Sequence, residues 1–334
     1  MMITEGRSPT LVTVPAEVRQ VLDRSLVCEY TSLTRAGRPV TWPVTPYAGR
    51  DGTLDVTTGL SYPDKAERAR RDPRVALLYS DPTGSGLERP PMVLVQGRAT
   101  VRDADLQGNT DRYVRESMAK TPGAFDGLPW FLIKRFAWYF ARIYIEVTPE
   151  RVTWWPEGDL AREPRTWTRL GEAAFPRSDL PPSGPRLPSR SVPPADWRPH
   201  ADRALRLGVP VVSTVADGLP LPVRARSAVR TERGFDLLLP AGVTVVPGPV
   251  CLTFHRYSET GGQEHVMLVG RGSGAGDRLE VEVERALNDW SLAGSNRDRA
   301  RSFLRQRKEL KKRVRLEAAR RDQAVPKIRR YAAS

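Results

Sequence analysis

Along the first 156 residues of this 334-residue chain, apolar positions mostly alternate with polar ones in short runs, the period of strands. After a short leading helix at Ala16 to Leu22, Leu26 to Leu33 reads as a first strand. Arg38 to Tyr47 reads as a second, with Pro43 and Pro46 bending it or making it an irregular edge. Asp51-Gly52 signals a turn, and Thr53 to Thr58 alternates as a third strand. Pro63 to Arg71 is charged and compatible with a helix. Pro63 suits its first turn and Asp72-Pro73 stops it. Val75 to Tyr79 and Met92 to Val101 return to strand character, and Asp105 to Lys120 and Trp130 to Phe140 read as helices. Arg142 to Trp155 alternates again, placing Ile143, Ile145 and Val147 on one face.

At Pro156 the pattern breaks. Ten prolines fall between Pro156 and Pro199, among many Ser, Arg and Gly residues. Such a stretch excludes a regular helix or a central strand and reads as an extended linker. Its length marks a domain boundary. Beyond it the first pattern returns in order. Val209 to Val215 matches the first strand, Asp217-Gly218 a turn, and Leu221 to Val229 the second strand. Phe235 to Leu239 follows Arg233-Gly234 as Thr53 to Thr58 follows Asp51-Gly52. Val250 to Tyr257 parallels Arg74 to Ser80, and Met267 to Arg271 parallels Val93 to Arg98. Arg278 to Val283 parallels Arg142 to Val147, with Trp290 and Trp154 at one offset beyond the two arginines. The shared order implies two copies of one six-stranded β-fold, the second diverged. The expected organisation is a domain over 1–156, a linker over 157–206, a degenerate copy over 207–295 and a helical tail over 296–334.

Charge alters the picture only at the end of the chain. Of a formal net charge of +14, the stretch Arg297 to Arg330 carries +11, with 15 Lys and Arg against 4 Asp and Glu. Arg297 to Arg320 also carries Phe303, Leu304, Leu310, Val314 and Ala318 near one helical face. A helix docked by that stripe, its basic face open, is the favoured reading. Contact with nucleic acid or an anionic surface ranks second. No apolar run reaches membrane-spanning length, and the N-terminus lacks a signal-peptide pattern, so a cytoplasmic protein is expected. Cys28 and Cys251 sit in apolar runs as small buried hydrophobes. His200, His255 and His265 have no cysteine or carboxylate cluster at ligand spacing, and no metal site is expected. Neither a Ser-His-Asp arrangement nor a Walker-type loop is present, and no residue declares itself catalytic.

The stretch from Arg38 to Arg98 carries the candidate chemistry. A strand ends in Thr57-Thr58-Gly59, a loop runs from Leu60 to Tyr62, and a helix follows with Lys65 and Arg68 on one face. Hydroxyls at a strand end, free N–H groups at a helix start and two cations make a phosphate grip. The competing reading is a solvated charged helix with nothing bound.

Val40 to Val44, Thr57-Thr58-Gly59, Lys65 with Arg68, Asp72-Pro73-Arg74-Val75 and Val95 to Ala99 together resemble the pyridoxamine-phosphate-oxidase-like split-barrel flavoproteins. The resemblance covers about residues 16 to 156 and, more faintly, 207 to 290. It implies a mainly β (α+β) chain of two FMN-binding-type split β-barrels forming a pseudo-dimer, with a C-terminal basic helix. It implies FMN, or the related deazaflavin, as cofactor. Thr41, Trp42, Pro43 and Val44 would lie along the ring, and Thr57 and Thr58 would meet the ribityl-phosphate end. Lys65 and Arg68 would hold the phosphate, and Gln96 would approach the ring from a neighbouring strand. The basic and aromatic set that grips pyridoxal phosphate in the vitamin-processing oxidases is incomplete here. The second copy lacks counterparts of Lys65 and Arg68, so it would supply walls rather than a phosphate grip. The expected function is a flavin-dependent oxidoreductase acting on a small molecule. The alternatives are a deazaflavin reductase, whose acidic cofactor tail the basic helix would receive, and a non-catalytic flavin- or nucleic-acid-binding protein. A homodimer of the whole chain stays open.

Overall fold

The computed structural model describes residues 14–49, 52–121, 130–169, 175–188, 196–244, 246–258, 263–291 and 296–329. Fifteen strands form two antiparallel sheets of the same topology. Helix α1 (Ala16–Arg24) leads into β1 (Cys28–Leu33), β2 (Pro39–Val44), the short β3 (Tyr47–Ala48) and β4 (Leu54–Gly59). Helix α2 (Asp64–Arg71) follows, then β5 (Arg74–Tyr79), β6 (Met92–Arg102) and α3 (Leu106–Lys120). Two short turns of helix, α4 (Trp130–Ile133) and α5 (Ala137–Phe140), precede β7 (Arg142–Trp155) and β8 (Arg165–Thr168). After α6 (Arg198–Arg206), the second sheet is built from β9 (Val211–Ala216), β10 (Leu219–Arg224), β11 (Ser227–Arg230) and β12 (Gly234–Leu238). It is completed by β13 (Gly248–Tyr257), β14 (Gln263–Ala275) and β15 (Arg278–Ser291), and α7 (Asn296–Arg320) closes the chain.

The first sheet runs β2-β1-β5-β6-β7-β4-β3 with β8 added to β7, and the second runs β10-β9-β13-β14-β15-β12-β11. The orders are identical, so the chain is two curled half-barrels in tandem, a two-domain split barrel. The six strands expected in each copy become eight and seven, because β3, β8 and β11 are too short to show as periodic runs.

Register ties the two copies together residue by residue. Gln96-Gly97 and Val269-Gly270 carry the same irregularity in the pairing with the next strand. A Cβ on Gly97 would stand 2.1 Å from Thr148 O, and one on Gly270 would stand 2.0 Å from Glu282 O. Only glycine allows that approach. Counting from this anchor, Val147 matches Val281, and Arg142 matches Gly276 rather than Arg278. The sequence parallel between the two arginines is therefore two residues out, which leaves apolar faces aligned and hides the slip. Trp290 likewise matches Trp155, not Trp154, since these two pair with His265 and Met92 at equal distance from the glycines.

The halves share a core. Ala76, Leu78, Met92, Leu94 and Trp155 of the first sheet pack with Val212, Phe235, Leu252 and Phe254 of the second. Val75, Leu77 and Tyr79 face the interior of the first half instead. From Val75 to Tyr79 strand β5 is thus buried on both faces, and that stretch is an unbroken apolar run. Polar contacts also cross the junction. Thr41 Oγ1 lies 2.5 Å from Ser213 Oγ, Thr253 Oγ1 donates to Thr41 O at 3.1 Å, and Gln96 Nε2 donates to Pro220 O at 2.8 Å.

Helix α7 docks on the first half. Leu310, Val314 and Ala318 are buried in its core. Phe303, expected on the same stripe, lies outside the described side chains, as does Leu304. Arg313 Nε donates to Ser61 O at 2.8 Å. Just past the helix, Arg321 pairs with Asp103 at 2.9 Å and with Glu317 at 2.7 Å, and all three side chains are almost fully buried. The proline-rich segment wraps the same side: Asp179 accepts from the backbone N–H of Asp103 and Ala104, and Pro188 O accepts from Arg313.

Candidate functional site

The turn from β4 into α2 is closed by its own hydrogen bonds. Thr58 Oγ1 donates to Tyr62 O at 3.0 Å, and Tyr62 N donates to Gly59 O at 3.0 Å. Gly59 pairs with Arg142 across β4 and β7. A Cβ at Gly59 would stand 3.4 Å from Arg142 Nη1, about van der Waals contact, which places the guanidinium beside the turn. Arg142 Nη2 donates to Tyr113 OH at 3.2 Å, and its guanidinium lies 4.5 and 4.7 Å from the rings of Tyr113 and Tyr139. On α2, Arg68 Nε donates to Ser32 Oγ at 3.0 Å.

Lys65, Arg68 and Arg142 form a cluster of like charge. Among the described residues, no carboxylate pairs with any of them; their nearby groups of opposite tendency are thiols and phenols. Arg68 Nη2 and Arg142 Nε are buried with no partner. Burial first, and then the charges of Arg142 and Arg68, push the Lys65 ammonium down to about 7. Burial also lowers Arg68. A half-buried cluster of cations with unmet donors is costly in isolation and is relieved by an anion.

One wall beside this cluster is aromatic and comes from both halves. Lys65 Nζ lies 5.8 Å from the Trp42 ring. His265 of β14 meets Trp42 edge-on at 5.6 Å and 84°, and Trp290 lies 5.3 Å from His265. Gln263 Nε2 donates to Pro43 O at 3.1 Å, fixing β2 against the second half. Trp42 Nε1 and both ring nitrogens of His265 are buried and unpartnered. Burial, with the charges of His255, Lys65 and Arg203, lowers His265 to about 3, so the ring is neutral at pH 7.

Of the residues singled out from sequence, Trp42, Thr58, Lys65 and Arg68 gather around this turn. Pro43 offers its carbonyl to Gln263, and Val44 joins the core of the first half. Thr57 is buried opposite Tyr144. Thr41 and Gln96 turn toward the junction, where Ser213 and Pro220 engage their polar atoms. Sequence reasoning missed Arg142, which read only as the first residue of a strand. It also missed His265, Gln263 and Trp290, which reach the site through the pseudo-symmetry rather than through any local motif.

In the second half Gly276 stands where Arg142 would be, and the segment after β12 runs Pro240-Ala241-Gly242-Val243-Thr244 without a helix. Ala241 N donates to Leu160 O at 2.9 Å, and Trp155 Nε1 donates to Ala241 O at 3.1 Å. That end is plugged by backbone, and it carries no phosphate grip among the described residues. No group of three His, Cys, Asp or Glu among the described residues is placed to hold a metal. No described helix is long and apolar enough to cross a membrane.

No family model matches this chain, and no curated protein matches it. Similar solved structures each cover about half of it. A putative pyridoxamine 5'-phosphate oxidase from Listeria innocua is 22% identical over 41% of this chain and 93% of its own, with a TM-score of 0.28. A conserved hypothetical protein from Mycobacterium tuberculosis is 19% identical over 50% of this chain and 98% of its own, with a TM-score of 0.34. A protein of the pyridoxinephosphate oxidase family from Clostridium acetobutylicum, related to general stress protein 26, is 12% identical over 46% of this chain and 92% of its own, with a TM-score of 0.32.

Proposed function

We propose that the chain is a flavin-dependent oxidoreductase that binds FMN, or the related deazaflavin, once per chain at the β4–α2 turn. The observation that carries this reading is the cluster of Lys65, Arg68 and Arg142 with no carboxylate among the described residues to answer it. A phosphate supplies the charge the cluster lacks and acceptors for its unmet donors. The residues present therefore fit the group. Lys65, Arg68 and Arg142 would hold the phosphate, and Trp42, His265 and Trp290 would bound the ring. When bound, the flavin supplies hydride chemistry, and the protein supplies orientation and exclusion of water. The second half contributes His265 and Gln263 to the wall, which accounts for a copy without a grip of its own.

The first test is the visible spectrum of the purified chain, with release and identification of the bound chromophore. A flavin or deazaflavin spectrum that bleaches on reduction supports the reading. A colourless protein that takes up neither cofactor on titration rejects it.

Lys65 makes the affinity depend on pH. Burial and the neighbouring cations lower its ammonium to about 7, and an adjacent phosphate raises it again. Above that pH, binding must take up a proton. Flavin affinity should then fall by up to about tenfold per unit as pH rises from 7 toward 9. The phosphate itself, with a second pKa of about 6, is already dianionic in that range. Titrations of wild type and Lys65→Met across that range check this: the variant should bind weakly with a flat profile, and an equal slope in both would remove Lys65 from the phosphate.

A further inference from the structure

A second buried polar group lies behind the wall of this site. Glu29 of β1 is fully buried between the halves. Ser80 Oγ donates to Glu29 Oε1 at 2.6 Å, and His255 Nε2 lies 2.7 Å from the same oxygen. Arg224 of β10 closes the group: Nε donates to Ser80 Oγ at 2.9 Å, and Nη2 lies 3.2 Å from Glu29 Oε1 and 3.0 Å from His255 Nε2. Burial alone would raise the Glu29 carboxyl. The hydrogen bond from His255, with Arg224 and Ser80, holds it below its ordinary value.

This group touches both sides of the junction. On one side, Ser80 and Arg224 line a cavity of about 240 Å³ together with Ser25, Asp81, Met92 and Leu160. The register places that cavity at the pseudo-symmetric counterpart of the cofactor wall, since Met92 matches His265 and Arg224 matches Pro43. On the other side, His255 stands directly opposite His265 across β13 and β14. Opposed residues of an antiparallel pair hold their Cβ atoms about 5 Å apart, so the two rings are neighbours. His265 is itself the ring against Trp42.

Four polar atoms along this line have no partner: Glu29 Oε2, His255 Nδ1, and both ring nitrogens of His265. One orphan is unremarkable, but four in sequence between a cofactor wall and a cavity call for something that joins them. We infer that His265, His255, Glu29 and Ser80 form a proton path, bridged by buried water, that links the cofactor site to the cavity at the second half. This rests on the flavin reading above.

The chemistry balances without a further reactant. His255 Nε2 faces both the Glu29 carboxylate and a donor nitrogen of Arg224, and the path uses the tautomer that carries the proton on Nε2, toward Glu29, and leaves Nδ1 as an acceptor. A proton leaving His265 is taken at His255 Nδ1, the Nε2 proton passes to Glu29, and Glu29 passes one to water at Ser80. One proton leaves the site wall and one reaches the cavity. His265 recovers its own from the site, His255 resets by exchanging tautomers, and no electron moves along the path. Neither end traps the proton, because burial keeps His265 neutral and the partners of Glu29 keep its carboxyl ionised. Arg224 is the cation facing Glu29 and Ser80, and Lys65 and Arg203 are the cations facing His265.

The test uses the full chain loaded with FMN, reduced, and mixed with ferricyanide in the presence of a pH indicator. Oxidation of the reduced flavin releases protons. In Glu29→Gln and His255→Asn, both checked for folding by thermal melt, FMN affinity should be unchanged. Proton release should slow by about 100-fold, within the range that positioned proton transfer contributes, and millimolar imidazole should restore it in His255→Asn. Unchanged release in both variants, or slowing that imidazole does not relieve, overturns the path. A structural role for His255 would not respond to imidazole. Should no flavin bind, that failure belongs to the function reading, and the unloaded chain still decides the path by ¹⁵N spectra of the histidine rings. Glu29→Gln must then shift the ring nitrogens of both His255 and His265; a shift confined to His255 overturns it.

Discussion

Changing Lys65 and Arg142 together to alanine should weaken FMN binding by about two to four orders of magnitude, since each charge-assisted hydrogen bond contributes roughly 1.5–3 kcal/mol. Lys65→Ala alone should leave the unloaded chain as stable as wild type or more so, because burial and the charges of Arg142 and Arg68 disfavour its ammonium. A lysine that served the fold would behave in the opposite way. Arg142 packs against Tyr113 and Tyr139, so part of its loss is packing, and Arg142→Lys separates the two effects by keeping charge without the planar fork. Fluorescence titration with FMN and thermal melts of the unloaded variants give both readings. Unchanged affinity would remove the cluster from the cofactor site.

Removing everything after residue 295 should cost most or all of the stability of the first half. Leu310 and Val314 would leave its core, each a loss of about 1.5–3 kcal/mol. Arg321 would leave Asp103 and Glu67, and breaking a buried pair by deleting one partner costs roughly 3–5 kcal/mol. Arg70 would remain on Asp103 and offset part of this. The total rivals the roughly 5–15 kcal/mol by which domains are stable at all. The truncated chain should therefore melt far below the full chain or fail to accumulate. If the segment were only a tail for nucleic acid, the melting temperature would not move. The gentler Val314→Ala should lower it by a measurable amount with the charge unchanged.

Most of the fold was legible because alternation is a backbone property. The turn at Asp217-Gly218 and the repeated strand order follow from local sequence, and both sheets share one order as the repeat implied, whereas the stretch expected as a linker holds β8 and α6. Pairing register was less legible. Arg142 and Arg278 align by eye, yet counting back from the paired glycines Gly97 and Gly270 the structural partner of Arg142 is Gly276, because a two-residue slip keeps the same face and leaves no trace in the alternation. The site divides along the same line. Lys65 and Arg68 stand on one helix face, and their spacing announces them. Arg142 comes from a strand far along the chain and is placed only by its pairing with Gly59. Thr41 and Gln96 present their polar atoms to the second half, a contact no single-strand pattern reveals. His265 and Gln263 become visible only once the two copies are superposed.

The account stands on one flavin site per chain, gripped by the first half and walled by both. The most direct measurement is the stoichiometry of FMN bound to the full-length chain, followed by quenching of tryptophan fluorescence, since Trp42 and Trp290 belong with His265 to the proposed wall. The account predicts saturation at one equivalent per chain, with Lys65→Ala weakening that single step. Two equivalents, or no saturable binding by either FMN or deazaflavin, would contradict it.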